Sequence, residues 1–303
     1  MKLRSILMSL ALPALAVVAA SHPQVQKASS GKVDRHYVYS PEMGDTITVD
    51  VWTPEGYSAS AHRYPVIYMH DGQNLFDAST TWNGQAWEMD SVASLLIDKG
   101  EICAPVIVGV HSVASTRVGD LMPENVKDYV RGRGGKELQG FLTASKLRGN
   151  AYATFLVNTL RPEMNAIYNL AESADSTFVM GSSMGGLMSV YAMSEYPEVF
   201  GAAACLSTHW VGTVDGDPTF AEAMYEYLSD RLPRDGRHRL YLDRGTVSLD
   251  SLYGPADRRM IALARRLGYA GSRFESYVDS GAGHEERYWA ARVARPLRFL
   301  LPR

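Results

Sequence analysis

The chain has 303 residues, enough for one large domain or two small ones. It is 46% apolar, 10% aromatic and 21% charged, which excludes disorder, collagen-like repeats and low complexity. A formal net charge of −3, from 30 basic and 33 acidic residues, gives no electrostatic reason to bind nucleic acid, and two cysteines are too few for a disulfide scaffold or a cysteine-rich zinc module.

Lys2 and Arg4 form a short positive region, and residues 6–20 are almost wholly apolar. Small residues, Val18-Ala19-Ala20, precede Ser21. Residues 1–20 therefore read as a signal peptide cleaved near Ala20, and the product is expected in the periplasm or outside the cell. The apolar run is shorter than the roughly 20 residues a spanning helix needs, and no later segment is apolar enough to span a bilayer. Residues 21–32 read as a polar tail, and 33–303 as one domain. An oxidising compartment would permit a Cys103–Cys205 bridge, but the apolar surroundings of both favour free, buried thiols.

The first elements alternate in the strand manner, His36-Tyr37-Val38-Tyr39 and then Thr46-Ile47-Thr48-Val49-Asp50-Val51. They predict an antiparallel start to a sheet. Short apolar runs follow at 65–70, 104–111, 176–181, 200–207, 240–243 and 273–278, the pattern of strands covered on both faces. Helical periodicity lies between and after them, over 151–170, from Pro255 to a stop at Gly268, and over 286–300. Alternation of strand and helix predicts a mostly parallel α/β sheet with helices on both faces. Residues 112–150 break the rhythm. Their Arg131-Gly132-Arg133-Gly134-Gly135 follows no strand and ends in Lys136-Glu137, which fails as a phosphate loop. A mobile loop or lid over a site is the expectation there.

Gly181-Ser182-Ser183-Met184-Gly185 is a Gly-x-Ser-x-Gly pattern with Ser183 at its centre. Five residues are weakly specific alone. The strand-like Thr177-Phe178-Val179-Met180 before it and the helical Leu187-Met188-Ser189-Val190-Tyr191 after it supply the strand–turn–helix setting that a nucleophile elbow requires. A serine hydroxyl needs a base, and in this setting the chain order is Ser, Asp or Glu, then His. His284, in the small-residue loop Gly281-Ala282-Gly283, is the expected base. His238 sits among charges, and His209 comes too early, although it and Trp210 follow a strand and could line a pocket. Asp243 and Asp250 both satisfy the order for the acid. Position beyond the strand end favours Asp250, with Asp243 as the alternative. The loop after strand 65–70 and the residue after the nucleophile nominate the backbone N–H groups of Gln73, or Gly72, and Met184 as oxyanion donors.

Tyr68-Met69-His70-Asp71-Gly72-Gln73-Asn74-Leu75-Phe76-Asp77 resembles the oxyanion-loop block of the esterase family of α/β-hydrolases that includes esterase D, enterochelin esterase-like enzymes, feruloyl esterases and mycolyltransferases. Arg117-Val118-Gly119-Asp120-Leu121, the Ser183 block, Leu206-Ser207-Thr208-His209-Trp210, the 245–253 segment and Gly283-His284 resemble further blocks of it. The resemblance covers about 68–284. It implies an α/β-hydrolase fold with Ser183, Asp250 and His284 as its triad. Some members place the aspartate close behind Gly-Thr, whereas four residues separate Gly245 from Asp250 here, so Asp243 stays in play.

The expected chemistry is acyl transfer from an ester to Ser183 and then to water, without metal or organic cofactor. A zinc hydrolase is disfavoured, because no H-E-x-x-H is present. The expected substrate is a small-molecule or carbohydrate ester, with acetyl or feruloyl groups suggested by export and the family. Trp82, Trp87 and Trp210 are candidates to stack a sugar or aryl ring. The alternatives are an acyltransferase or siderophore esterase on the same fold, and a hydrolase-like binding protein without turnover.

Overall fold

The computed structural model describes residues 24–60, 63–144, 146–213 and 216–303. The signal peptide expected over 1–20 lies outside them. Strands β1 (Lys32–Ser40) and β2 (Asp45–Thr53) form the antiparallel hairpin that their alternation predicts, closed by a turn in which Gly44 takes φ 67°. The six apolar runs become β3 (Val66–His70), β4 (Val106–Val110), β5 (Thr177–Ser182), β6 (Ala202–Leu206), β7 (Arg239–Arg244) and β8 (Phe274–Val278). The sheet order is β1-β2-β4-β3-β5-β6-β7-β8. β2 pairs antiparallel with β4, and every pair from β4 to β8 is parallel.

The helices are α1 (Met89–Asp98), α2 (Arg117–Leu121), α3 (Lys127–Val130), α4 (Lys136–Ala144), α5 (Gly149–Phe155), α6 (Arg161–Ile167), α7 (Met184–Glu195), α8 (Thr219–Arg231), α9 (Gly254–Arg266), α10 (Glu286–Arg292) and α11 (Ala294–Leu300). Alternate strand residues feed two cores. Val66, Tyr68, Val106, Val108 and Val179 pack with Phe155, Leu187 and Met260 on one face. Ile67, Met69, Ile107, Phe178 and Met180 pack with Leu96, Trp289 and Leu297 on the other. Helix α7 is buried from Met184 to Ser194 between sheet and outer helices, which explains why it has no polar face.

Two predicted helices are interrupted where proline removes a donor. The 151–170 prediction appears as α5, a wide turn over Leu156–Leu160, and α6, with Pro162 just beyond the wide turn. The 286–300 prediction breaks at Val293, and Pro296 cannot donate to the Arg292 carbonyl. The 112–150 stretch, expected to be a loop or lid, contains helices that its sequence pattern did not show. The segment folds into α2, α3, α4 and intervening turns, with Leu138 buried and Arg133 paired to Glu226 of α8 at 3.1 Å. Its periodicity was too short-ranged to register. The tail expectation is corrected, since Gln26 is buried and strand β1 begins at Lys32. Both cysteines are free; Cys205 is buried as expected, but Cys103 is exposed.

Candidate active site

Parallel strands end together, so their carboxyl ends bring distant segments to one edge. At that edge β5 runs into Ser183, which adopts φ 58° and ψ −121° before α7 begins at Met184. This is the sharp turn of a nucleophile elbow. It needs glycine around it. A Cβ on Gly181 would lie 2.9 Å from the His70 ring and the Gly185 backbone, and one on Gly186 would lie 2.7 Å from the Thr208 hydroxyl. Asp71 after β3 and Ser207 after β6 also hold positive φ, at 57° and 42°. Three strand ends at the same edge are thus bent into sparsely populated backbone.

Ser183 and His284 line one cleft of about 860 Å³, together with Gln73, Arg117, Trp82 and Trp289. His284 projects from the loop after β8, and its Nδ1 lies 2.6 Å from Asp250 Oδ1. A carboxylate accepts only, so Nδ1 carries the proton, and in the neutral ring Nε2 is the nitrogen with the lone pair. The imidazole is held edge-to-face between Trp289 and Tyr253, with ring centroids 5.2 and 5.7 Å away.

Asp250 is fully buried in the turn after β7. Its Oδ2 accepts from the Ser207 hydroxyl at 2.6 Å and the Gly245 N–H at 2.5 Å. Burial works to raise this carboxyl, but the hydrogen bonds from His284, Ser207 and Gly245 and the nearby imidazole outweigh it, so it sits below the usual range. Ser207 in turn accepts from Trp289 Nε1 at 3.0 Å and Arg292 Nη2 at 2.9 Å. Asp243, the alternative acid, faces away from the imidazole. It pairs with Arg292 at 3.0 and 3.1 Å, and burial pushes its carboxyl up despite that partner.

Across the cleft, Gln73 lies in the turn Gly72–Asn74 directly after β3. Its side chain exchanges hydrogen bonds with Ser112, Nε2 to Oγ at 2.9 Å and Oε1 from N at 3.0 Å. Asp71 accepts the Ser112 hydroxyl at 2.6 Å and both arms of Arg117 at 2.6 and 2.8 Å. Arg117 is therefore where the 112–150 segment meets the cleft. Burial opposes ionisation of Asp71, and Arg117 reverses that, holding it below the usual carboxylate range.

Two nominated residues stand elsewhere. Trp210 is 2% exposed, packed in the core, and is not among the residues that line the cleft. His209 lies one layer behind the cleft. Its Nε2 meets the Gly212 carbonyl at 3.2 Å, so that nitrogen donates, and its Nδ1 accepts from the Tyr253 hydroxyl at 2.8 Å. Burial lowers His209 to about 4. Tyr253, whose ring packs edge-to-face on His284, went unnoticed in the sequence, as did Ser207. Their only signal was position inside blocks already marked for other residues.

An eight-stranded, mostly parallel sheet with this elbow defines the α/β-hydrolase fold. The chain matches the family model described as “Putative esterase” over residues 40–300 and belongs to that family. Among solved structures it is similar to the enterobactin esterase FES of Shigella flexneri, with TM-score 0.66 and 18% identity over 91% of this chain and 60% of that one. It is similar to a ferulic acid esterase, with TM-score 0.65 and 17% identity over 89% and 98% of the two chains. An IroE-like serine hydrolase from Shewanella oneidensis aligns at TM-score 0.64 and 18% identity over 88% and 79%. The chain thus spans 60% of the length of the enterobactin esterase. The uncharacterized protein YbbA of Bacillus subtilis (strain 168) is 20% identical over 256 residues, 82% of this chain and 90% of that protein. At such identities the structural likeness concerns the fold. Among the described residues, no helix is long and apolar enough to cross a membrane.

Proposed function

We propose that the chain is an exported serine carboxylesterase acting on acetyl or feruloyl esters of carbohydrates, with Ser183 as nucleophile, His284 as base and Asp250 as the orienting acid. The observation that carries this reading is the 2.6 Å bond from His284 Nδ1 to the buried Asp250, with His284 and Ser183 on the same cleft. The bond leaves Nε2 as proton acceptor. Ser183 Oγ attacks the ester carbonyl carbon and its proton passes to His284 Nε2. The carbonyl oxygen becomes an oxyanion facing the N–H groups of Gln73 and Met184. As the tetrahedral adduct collapses, the C–O bond to the alcohol breaks, and His284 returns the proton to the departing oxygen. Water then attacks the acyl-enzyme by the same route and releases the acid.

The substrate class draws support from the cleft. It is roomy, rimmed by the amides of Asn83 and Gln85, and carries Trp82 at 85% exposure. Amides suit hydroxyl groups and an exposed indole suits a sugar or aryl face. Export rests on the leader-like residues 1–20.

The test is hydrolysis of p-nitrophenyl acetate and methyl ferulate by the chain from Ser21 onward, beside Ser183→Ala. The expected result is turnover by the wild type and a loss of at least about 10³-fold in the variant. A folded wild type that hydrolyses neither ester, yet acylates a sugar hydroxyl from the same donors, would replace hydrolysis with acyl transfer.

A further inference from the structure

The segment expected to be a tail is stitched to the loop that carries Gln73. Gln26 is 3% exposed, and its amide makes three hydrogen bonds, using both N–H donors and the carbonyl oxygen. Nε2 donates to the Gly72 carbonyl at 2.8 Å and to Asp50 Oδ2 at 2.7 Å. Oε1 accepts from the Phe76 N–H at 3.0 Å. One side chain thus grips both ends of the 72–76 loop. Just after it in the chain, Lys27 N–H reaches Asp77 at 3.1 Å and the Ser29 hydroxyl reaches Asp90 at 2.7 Å.

The anchor behind Gln26 is rigid. Asp50 is fully buried, bound by both arms of Arg35 at 2.7 Å and by His111 at 2.9 Å. The loop has no slack against β4, since a Cβ on Gly72 would fall 2.3 Å from the Gly109 carbonyl carbon.

The Gly72 carbonyl belongs to the same peptide unit as the Gln73 N–H. In a trans peptide the two are planar and point in opposite directions. Holding the carbonyl oxygen therefore sets the direction of that N–H, and a hydrogen bond to the carbonyl polarises the amide and strengthens the N–H as a donor. We infer that Gln26 is a positioning residue for the oxyanion site: by fixing the 72–73 peptide it aims the Gln73 N–H at the developing oxyanion. This rests on the reading of Gln73 given under Proposed function. The segment following the expected leader is then part of the catalytic scaffold.

The test compares Gln26→Ala and Gln26→Met with the wild type. Methionine keeps length and volume while removing every hydrogen bond. Activity is measured per active site titrated with a phosphonate, alongside the affinity for an arylboronic acid, which forms a tetrahedral adduct on Ser183, and for the planar carboxylate product. Deleting a whole oxyanion donor costs about 10²–10³-fold in kcat, so a misaimed one should cost about 10–100-fold. The expected result is that loss in kcat, KM within about threefold, boronate affinity weakened in step with kcat, and product affinity unchanged. A purely structural role would lower the melting temperature and leave kcat per site and boronate affinity at wild-type values. That outcome in either folded variant overturns the inference, as does failure of both variants to fold. A wild type without esterase activity would instead remove the functional reading.

Discussion

The floor and the rim of the cleft are built on opposite plans. On the floor, the polar groups behind His284 form one linked, buried chain. Asp250 holds His284 and Ser207, Ser207 holds Trp289 and Arg292, and Arg292 holds Asp243. On the rim, Trp82 stands 85% exposed beside Asn83, Gln85 and Glu285. Only a fixed floor can preorganise charge for a transition state, and only an open rim can admit and sort substrates. Within the floor a second contrast matters. Asp243 in β7 and Asp250 in the turn after it are both buried, yet one faces a guanidinium and the other an imidazole. Burial does not distinguish a structural carboxylate from a candidate acid. The partner does.

The largest effect should come from Asp250→Asn. The amide cannot enforce the same imidazole tautomer, and kcat should fall about 10⁴-fold while the fold survives. Steady-state rates on titrated enzyme, with circular dichroism as the control, measure it; a loss under tenfold would put the orienting role elsewhere. Asp243→Asn should reverse the pattern. It leaves Arg292 buried without its full counter-charge, costing about 3–5 kcal/mol of stability, with a smaller change in kcat. Urea unfolding reads the first and kcat the second. If kcat fell more than stability, the distinction between the two aspartates would collapse.

A pH series sharpens the same contrast. His70 and His209 are both lowered to about 4 by burial. Their folded values lie below the ordinary histidine value near 6.5. Between about 6.5 and about 4 the unfolded chain therefore binds more protons than the native one, and stability falls as pH drops through that window. Asp257, raised to about 6 by burial, acts oppositely, because its native form keeps a proton that the unfolded form has released. His209→Gln should flatten the acid loss, and Asp257→Asn should steepen it. Unfolding free energies at several pH values between 4 and 7 check both signs, and equal slopes in all three proteins would contradict them.

Much of this plan was legible in one dimension. All eight strands declared themselves as alternating or apolar runs, because a doubly covered sheet leaves little choice of residue. Ser183 and His284 were visible because the elbow and the chain order are local or nearly so. Asp243 and Asp250 were not separable, since order admits both and only the fold shows which one meets the imidazole. Gln26 was lost for a related reason. Its partners Gly72 and Phe76 lie 46 and 50 residues away, and nothing in a polar tail announces a long-range grip. The helices over 112–150 were missed because short elements stabilised by tertiary packing carry weak periodicity. Among the tryptophans, composition could not tell that Trp210 would be walled into the core and Trp82 left outside.

That last difference yields the smallest predicted effect and the most direct probe of the rim. Trp82 is too exposed to contribute much to folding, so Trp82→Ala should leave the melting temperature and the chemistry unchanged. What it removes is a flat aromatic face. Stacking of a ring on such a face is worth about 0.5–1.5 kcal/mol, so KM for methyl ferulate should rise about 2–10-fold with kcat constant. A short alkyl acetate, which has no ring to stack, should show no change in either constant. An equal rise for both esters would mean that Trp82 shapes the cleft entrance generally. A fall in kcat would mean that the rim reaches the chemistry after all, and the division between fixed floor and sorting rim would have to be redrawn at Trp87, whose ring packs on Trp289 at 5.4 Å and so stands one contact from His284.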